Sequence, residues 1–140
     1  MWQVAARAWP GGAGAYAERM RAALSLLADV CCVLAFVVIG RASHGDGETL
    51  GGIASTAWPF LAGLACGEVA ARAWRQPLAL VPAGVGAWLG AVVVGQGLRV
   101  LAGQGTEPAF IVVSLLFLGV FLLGWRLAAR WAAVRVSGRA

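Results

Sequence analysis

The sequence has few of the residues on which most enzymes and metal sites depend. It contains no lysine, one histidine and six acidic residues, and charged residues make up only 12% of the chain. A single histidine excludes haem ligation by two histidines of one chain. The absence of CxxC and HxxxH spacings argues against a metal site, and nucleophile-elbow, HExxH and phosphate-loop motifs are also absent. We therefore assign no catalytic residue, metal or cofactor, although these absences do not exclude an enzyme.

Hydrophobic residues, in contrast, make up 61% of the 140 residues, which is typical of membrane proteins. Four apolar stretches are each long enough to cross a hydrocarbon layer of ~30 Å, which takes about 20 helical residues. They cover residues 22–40, 50–71, 78–101 and 108–127. Because the connections are short, neighbouring helices must run antiparallel. The sequence predicts an all-α membrane protein with four transmembrane helices in a bundle (22–127), an interfacial N-terminal tail (1–21) and a basic C-terminal tail (128–140).

The distribution of the eleven arginines predicts the orientation of this bundle. Nine of them lie on one side, in the N-terminal tail, in the second loop and in the C-terminal tail together with Arg126 just before it, whereas only Arg41 and Arg99 lie on the opposite side. Cytoplasmic segments of membrane proteins are enriched in basic residues, so both termini are predicted to be cytoplasmic in a multi-pass protein of the cell membrane. The net charge of +5 then indicates contact with anionic lipid head groups and not with nucleic acid.

Polar residues inside spans are costly in a bilayer and are therefore candidates for function. On the cytoplasmic side, Asp29 and Glu68 lie at similar depths in the first and second spans, so they can face each other. Glu68 has a local partner in Arg72, four residues later. Asp29 must be satisfied from another helix, by Arg72 or Arg75, or be protonated. Two interpretations stay open: an ion-paired layer that reaches the interface, and a carboxylate pair that relays a proton or a cation.

A second polar layer is predicted on the outer side, near the end of the first span. It comprises Arg41, Ser43, His44, Thr56, Gln96 and Arg99. Arg41 and His44 suit the C-terminal end of a helix, where cations complement the helix dipole. Alternatively, Arg41, His44 and Arg99 surround an anion or a polar head group, because planar guanidinium groups bind carboxylate and phosphate.

Small residues and prolines in the second and third spans indicate close helix packing. The residues assigned to packing are Trp58, Pro59, Gly63, Gly67, Gly86, Trp88 and Gly90. The glycines form two GxxxG pairs, which let helices approach closely in lipid, either within one bundle or in a parallel homo-oligomer. Pro59 and Pro82 are each expected to kink a span. Trp88 lies near mid-membrane, so its indole N–H is expected to face an acceptor in the protein.

Several short segments, in their order along the chain, resemble one family. The most specific are "GRASH" (40–44) and "TAWPF" (56–60), accompanied by "DVCCVLAFVVI", "RAWRQP", "VGQGLRVL" and "LGWR". Over roughly residues 25–127 the chain resembles the small four-helix membrane proteins catalogued as domain of unknown function 3054. The resemblance implies a four-helix membrane fold and no particular activity. It places these residues on matching motif positions: Asp29, Arg41, His44, Trp58, Pro59, Arg72, Arg75, Arg99 and Arg126.

The same resemblance implies that Glu68 and Gln96 stand where the family more often has large apolar residues, which weakens a carboxylate pair as its general mechanism. Two functions fit the patterns. The first is a small transporter or channel-like protein for an ion or small polar solute, indicated by the two polar layers and the proline-containing spans. The alternative is a non-transporting scaffold, lipid-binding protein or accessory subunit. A membrane enzyme that acts on a head group is a third hypothesis, without a motif to support it.

Overall fold

The computed structural model describes residues 11–45 and 49–139. Four long helices account for most of this part of the chain. They are α1 (Gly12–His44), α2 (Leu50–Ala71), α3 (Leu80–Leu101) and α4 (Pro108–Ser137). A short 3₁₀ turn, Ala73–Arg75, follows α2, and the described residues include no strand. Each of the four helices is long and apolar enough to cross a membrane, so the predicted all-α, four-span architecture is confirmed.

Local sequence explains where the helices begin and end. α1 ends at His44 and is capped by Gly45, whose φ of 71° is the left-handed conformation that glycine adopts without strain. α2 begins after Thr49, whose hydroxyl accepts a hydrogen bond from the N–H of Gly52 at 3.1 Å. α4 begins with Pro108, which lacks the N–H that a first helical turn leaves unpaired. These ends keep the connections short, so sequential helices run antiparallel.

α1 and α4 are longer than the spans predicted from apolar residues alone. α1 begins at Gly12 instead of residue 22, and α4 continues to Ser137 instead of ending near residue 127. The added segments are rich in alanine, the best helix former, so the helix continues where the hydrophobic run stops. At 1.5 Å per residue, the 33 residues of α1 extend about 50 Å, well beyond a ~30 Å hydrocarbon layer. Residues 1–10 of the predicted N-terminal tail lie outside the described residues.

α3 is the irregular helix of the bundle. Its first turn, Leu80–Gly84, is π-helical except at Val81, which has extended backbone angles (φ −122°, ψ 127°). Proline pushes the residue before it out of the helical region, so Pro82 explains this conformation. A second π-helical turn, Gly90–Val94, interrupts the α-helix near its middle. The irregularity expected at Pro82 therefore lies at the start of α3, whereas α2 stays helical through Pro59.

Glycines bring α2 and α3 into backbone contact. A methyl group on Gly63 would lie 2.5 Å from the carbonyl oxygen of Gly90, and one on Gly67 would collide with the carbonyl of Gly86. Only residues without side chains allow such an approach, and in lipid this dense packing replaces the hydrophobic effect as the force between helices. The four glycines predicted for packing thus lie at the α2–α3 interface of one bundle.

Apolar side chains fill the middle of the bundle. The ring of Phe36 contacts three other phenylalanine rings, with centroids 5.2, 5.4 and 5.8 Å away. Trp88 donates its indole N–H to the carbonyl oxygen of Leu115 at 2.9 Å, which links α3 to α4. Trp58, by contrast, is 44% exposed on the outside of the bundle and packs less than expected. The core of the bundle is therefore mainly apolar, and its charged side chains lie toward the two ends.

Candidate functional site

We call the end of the bundle nearer Asp29 the Asp29 end, and the opposite end the His44 end. At the Asp29 end, an ion pair joins α1 to α4. Arg126 donates from Nη1 to Asp29 Oδ1 and from Nη2 to Asp29 Oδ2, each at 2.7 Å. Both side chains are completely buried. The planar fork of a guanidinium matches a carboxylate in this two-bond geometry, which is the strongest form of such a pair.

The rest of the Arg126 guanidinium is also hydrogen-bonded. Nη1 donates to the carbonyl oxygen of Leu122 at 2.9 Å, and Nε donates to that of Pro77 at 3.1 Å. The indole of Trp125 donates to Asp29 Oδ1 at 2.8 Å. A buried charge is stable only when such bonds replace its hydration. The hydrogen bonds of Arg126 therefore anchor the ion pair to α4 and to the segment that precedes α3.

Glu68 of α2 approaches the same guanidinium. Its Oε1 lies 3.5 Å from Arg126 Nη2, an ion-pair distance that is long for a hydrogen bond. Its side chain is 16% exposed, whereas those of Asp29 and Arg126 are not exposed at all. Two carboxyl groups from different helices thus lie against one arginine. We call Asp29, Glu68, Trp125 and Arg126 the Asp29 layer.

The partner of Asp29 differs from those expected. Arg72 and Arg75 are both exposed, and the ion pair forms with Arg126 instead. Arg72 has left-handed backbone (φ 49°) at the end of α2 and lines, with Arg75, a separate cavity of about 290 Å³. Arg126 was missed because it was counted with the cytoplasmic arginines of the tail. Arg126 is the second-last residue of the fourth predicted span, so its depth in the membrane is close to that of Asp29 and Glu68. A comparison of depths along all four spans would therefore have included Arg126 among the possible partners.

The second polar layer surrounds a cavity of about 580 Å³ at the His44 end. Its polar lining comprises Arg41, Ser43, His44, Thr56, Arg99, Gln104, Thr106 and Glu107. Five of the six residues predicted for the outer layer therefore line one cavity. Gln104, Thr106 and Glu107 were not expected from the sequence, although they belong to the short loop that follows α3. Apolar side chains from α1 and α4, including Phe36 and Phe110, complete the wall.

Arg99 is held at the cavity wall by the loop after α3. Its Nη1 donates to Gln104 Oε1 at 2.9 Å and its Nη2 to the carbonyl oxygen of Gly105 at 3.3 Å. Gln104 in turn donates to the carbonyl oxygen of Ser55 on α2 at 2.9 Å. The guanidinium also lies 4.7 Å from the ring centroid of Phe110. These partners are uncharged, and the described residues provide neither an ion pair for Arg99 nor a hydrogen bond for its buried Nε.

Arg41 reaches across the cavity wall from α1 to α2. Its Nη1 donates to Thr56 Oγ1 at 3.2 Å, and the Thr56 hydroxyl donates to the carbonyl oxygen of Gly52 at 3.0 Å. Gly52 leaves room for the guanidinium, since a methyl group there would collide with it. Ser43 donates to a carbonyl within α1, and His44 is exposed at the helix end. The cavity thus holds guanidinium groups from two different helices.

Gln96 does not line this cavity. It is 8% exposed, and its Nε2 donates to the hydroxyl of Ser114 on α4 at 2.9 Å. Although Gln96 and Arg99 share a face of α3, Gln96 lies about one helical turn deeper and meets the neighbouring helix. Its place in the predicted outer layer is therefore corrected: Gln96 joins α3 to α4 inside the bundle.

A family model described as protein of unknown function (DUF3054) matches residues 26–129. The chain belongs to this family. The whole Asp29 layer and both cavity arginines of this DUF3054 protein lie within the matched residues. No curated protein and no solved structure matches the chain.

The cavity of this DUF3054 protein is chemically suited to an anion that carries an apolar part. Arg41 and Arg99 supply positive charge in the fork geometry that binds phosphate and carboxylate groups. Phe110 and Val113 supply apolar wall, and Val113 is 54% exposed. Within residues 11–45 and 49–139, no three histidine, cysteine or acidic side chains are grouped as metal ligands would be.

Proposed function

We propose that this DUF3054 protein is an integral membrane protein that binds an amphiphilic anion, with a phosphate or carboxylate group, at its His44 end. The observation that carries the proposal is one cavity of about 580 Å³ lined by two arginines, a histidine, one acidic residue (Glu107) and apolar side chains. Free anions and lipid head groups share this head-group chemistry. The apolar wall favours a lipid, because a small hydrophilic anion would gain nothing from it.

The surroundings of Arg99 support this proposal. A guanidinium keeps its charge at any physiological pH, and a charge near the membrane is costly unless it is paired. Arg99 has only uncharged partners among the described residues, namely Gln104, Gly105 and the ring of Phe110. An anion in the cavity would supply the missing counter-charge.

The middle of the bundle supports binding without an open ion pathway. Between the cavity and the Asp29 layer lie completely buried apolar side chains, among them Val33 and Phe60. Beyond them, Asp29 and Arg126 form a pair without exposed atoms. This closed arrangement favours the non-transporting, lipid-binding alternative over a channel.

Transport of the bound anion is the second candidate, favoured by the π-helical turn Gly90–Val94. Such turns often occur at functional sites, and this one lies between the two polar layers in the irregular helix. Transport would require the Asp29–Arg126 pair to separate. Uptake of radiolabelled phosphate or of a labelled carboxylate into liposomes, above that of empty liposomes, would support it, and absence of uptake would leave binding as the function.

The decisive experiment is the detection of co-purified lipid by native mass spectrometry. We expect the wild-type protein to carry an anionic lipid and Arg99→Ala to lose it. Arg130→Ala should keep the lipid, because Arg130 is an exposed arginine near the C-terminal end of α4, away from the cavity. A hydrogen bond to a charged group contributes about 1.5–3 kcal/mol, so binding to Arg99→Ala should weaken roughly 10- to 100-fold.

Two further measurements make this experiment specific. Added inorganic phosphate should displace the bound ligand only if the anionic group alone determines the affinity. Poor displacement by phosphate would support a lipid as the ligand, whereas efficient displacement would support a free anion. Equal loss of lipid from Arg99→Ala and Arg130→Ala would indicate general attraction between arginines and head groups. Unchanged lipid content in a folded Arg99→Ala variant would contradict the proposal.

The arginine distribution supports three further proposals about the setting of this site. The protein resides in the cell membrane with both termini in the cytoplasm, where its basic segments contact anionic lipid head groups. The His44 end and its cavity then face the outside. A parallel homo-oligomer is compatible with this orientation and is tested by the mass of the same detergent-purified samples.

A further inference from the structure

We propose that Glu68 holds an exchangeable proton, which it shares with Asp29, so that the Asp29 layer is a proton-binding site. This proposal does not depend on what the cavity at the His44 end binds. It follows from three features of the layer: the number of charged groups, the arginine nitrogen that both carboxyl groups approach, and the unequal exposure of the three side chains.

The layer contains two carboxyl groups but only one guanidinium. Arg126 directs both Nη atoms at Asp29, each at 2.7 Å, and its remaining hydrogen bonds go to the carbonyl oxygens of Leu122 and Pro77. With Arg126 committed to Asp29, an ionised Glu68 would add a net negative charge to the layer. Such a charge is costly within a membrane unless it is paired. A proton on Glu68 removes this cost.

The two carboxyl groups also lie against the same nitrogen, since Arg126 Nη2 is 2.7 Å from Asp29 Oδ2 and 3.5 Å from Glu68 Oε1. Two ionised carboxylates have no hydrogen to share and repel, so a bond between them requires one proton. Asp29 accepts three hydrogen bonds, from Trp125 and from both Nη atoms of Arg126. A carboxylate has about four acceptor positions, so one is left for a proton donated by Glu68. Glu68 Oε1, in turn, receives no hydrogen bond from any described donor.

The other charged groups near this end do not replace the proton. The charged groups at Glu68 are Arg126 from α4, at 3.5 Å, and Asp29 from α1, which binds the same arginine. Cys32 lies one helical turn after Asp29 on α1. On α2 itself, Arg72 follows one turn later but is exposed at the end of the helix. The only charged residue of α3 is Arg99, which lies at the His44 end. Within the described chain, Arg126 is therefore the only cation next to Glu68, and both of its Nη atoms already donate to Asp29.

The exposure of the three side chains makes this proton exchangeable. Asp29 and Arg126 are completely buried, whereas Glu68 is 16% exposed, so protons enter and leave through Glu68. Loss of the proton creates a second carboxylate 3.5 Å from Arg126 Nη2, which then competes with Asp29 for the same donor. Deprotonation should therefore loosen the connection between α1 and α4.

Infrared spectroscopy of the full chain in lipid nanodiscs tests the proposal directly. At neutral pH, the wild-type protein should show the C=O band of a protonated carboxyl group. The band should be absent from Glu68→Gln and retained in Glu18→Gln, a matched control that changes an exposed carboxylate on α1. The wild-type band should also shift in D₂O and disappear at alkaline pH, which provides a readout that needs no variant.

Thermal unfolding against pH gives a second measurement. The folded state binds a proton that the unfolded chain has released at neutral pH, so the melting temperature of the wild type should fall as pH rises. Glu68→Gln keeps an N–H donor for Asp29 that it cannot lose, so its melting temperature should change less over the same range. The proposal would be overturned if the wild-type spectrum at neutral pH lacked the band or if the band persisted in Glu68→Gln. It would also be overturned if the melting temperatures of the wild type and Glu68→Gln changed in parallel with pH.

Discussion

At the scale of single residues, the two members of the buried pair are not equivalent. Loss of one partner of a buried ion pair leaves an uncompensated charge and costs about 3–5 kcal/mol. Arg126 cannot give up its proton, whereas Asp29 can accept one. Because Glu68 could ionise and replace Asp29 as the partner of Arg126, the prediction applies to a Glu68→Gln background. There we expect Asp29→Ala to destabilise the protein by about 3–5 kcal/mol and Arg126→Ala by less. Thermal or denaturant unfolding of the purified protein measures both values.

The double variant provides the control for this comparison. In the same Glu68→Gln background, Asp29→Ala combined with Arg126→Ala removes both charges, so it should be more stable than Asp29→Ala alone, with a coupling energy that the double-mutant cycle yields. Arg130→Ala, which changes an exposed arginine of the same helix, should be within about 0.5 kcal/mol of the wild type. Equal destabilisation by the two single variants would show that lost packing outweighs the unpaired charge.

The same residues show how far a site can be inferred from sequence. The depths of Asp29 and Glu68 follow from helix geometry, because rise per residue depends little on neighbours. The identity of the cation that pairs with Asp29 does not follow from helix geometry, since it depends on which face of α4 turns toward α1. Three arginines were near enough in depth to compete for Asp29, and only the packed bundle selects Arg126. Residues 40–44 and 56, in contrast, lie at the ends of two helices joined by a short loop, so they are expected to be close in space. The hydrogen bond from Arg41 to Thr56 agrees with this expectation.

At the scale of helices, the α2–α3 contact should be the most sensitive to added volume. A methyl group on Gly67 would collide with the Gly86 carbonyl, so the two backbones would have to separate. Overpacking typically costs 1–3 kcal/mol, and we expect Gly67→Ala to lower stability by about that amount. Comparing its melting temperature with that of the wild type in the same detergent tests this expectation.

Gly124 on α4 is a matched control for this prediction. A methyl group there would meet no atom within 4 Å, and alanine favours a helix over glycine by about 0.5–1 kcal/mol. Gly124→Ala should therefore leave stability unchanged or raise it slightly. If Gly124→Ala were as damaging as Gly67→Ala, the loss would have to come from a contact outside the single bundle, such as an oligomer interface.

Helix bounds also show which part of the fold follows from sequence. The predicted second span, 50–71, coincides with α2, because Thr49 and Arg72 bound an apolar run at both ends. The outer ends of α1 and α4 extend ten residues beyond the apolar runs. Hydrophobicity locates the segment that lies in lipid, whereas helix propensity decides where the helix ends. The π-helical turn Gly90–Val94 has no comparable signal, since it depends on close packing against α2.

At the scale of the whole molecule, four crossings place both chain ends on one side of the membrane. The N-terminal end of α1 and the C-terminal end of α4 therefore lie together at the Asp29 end, and the positive-inside rule predicts that this side is the cytoplasm. The His44 cavity then opens to the outside. This orientation determines which ligands can reach Arg41 and Arg99, so it bears on both candidate functions.

Cysteine labelling in intact cells tests this orientation. In a background in which Cys31, Cys32 and Cys66 are replaced by alanine, His44→Cys should react with a membrane-impermeant maleimide, whereas Ser137→Cys should react only after lysis. Both positions are exposed, so access through the membrane decides the result. The reverse pattern would place the cavity in the cytoplasm, where it would draw its anion from the inner leaflet. Labelling of both positions in intact cells would mean that the chain inserts in two orientations, which nine arginines against two should prevent.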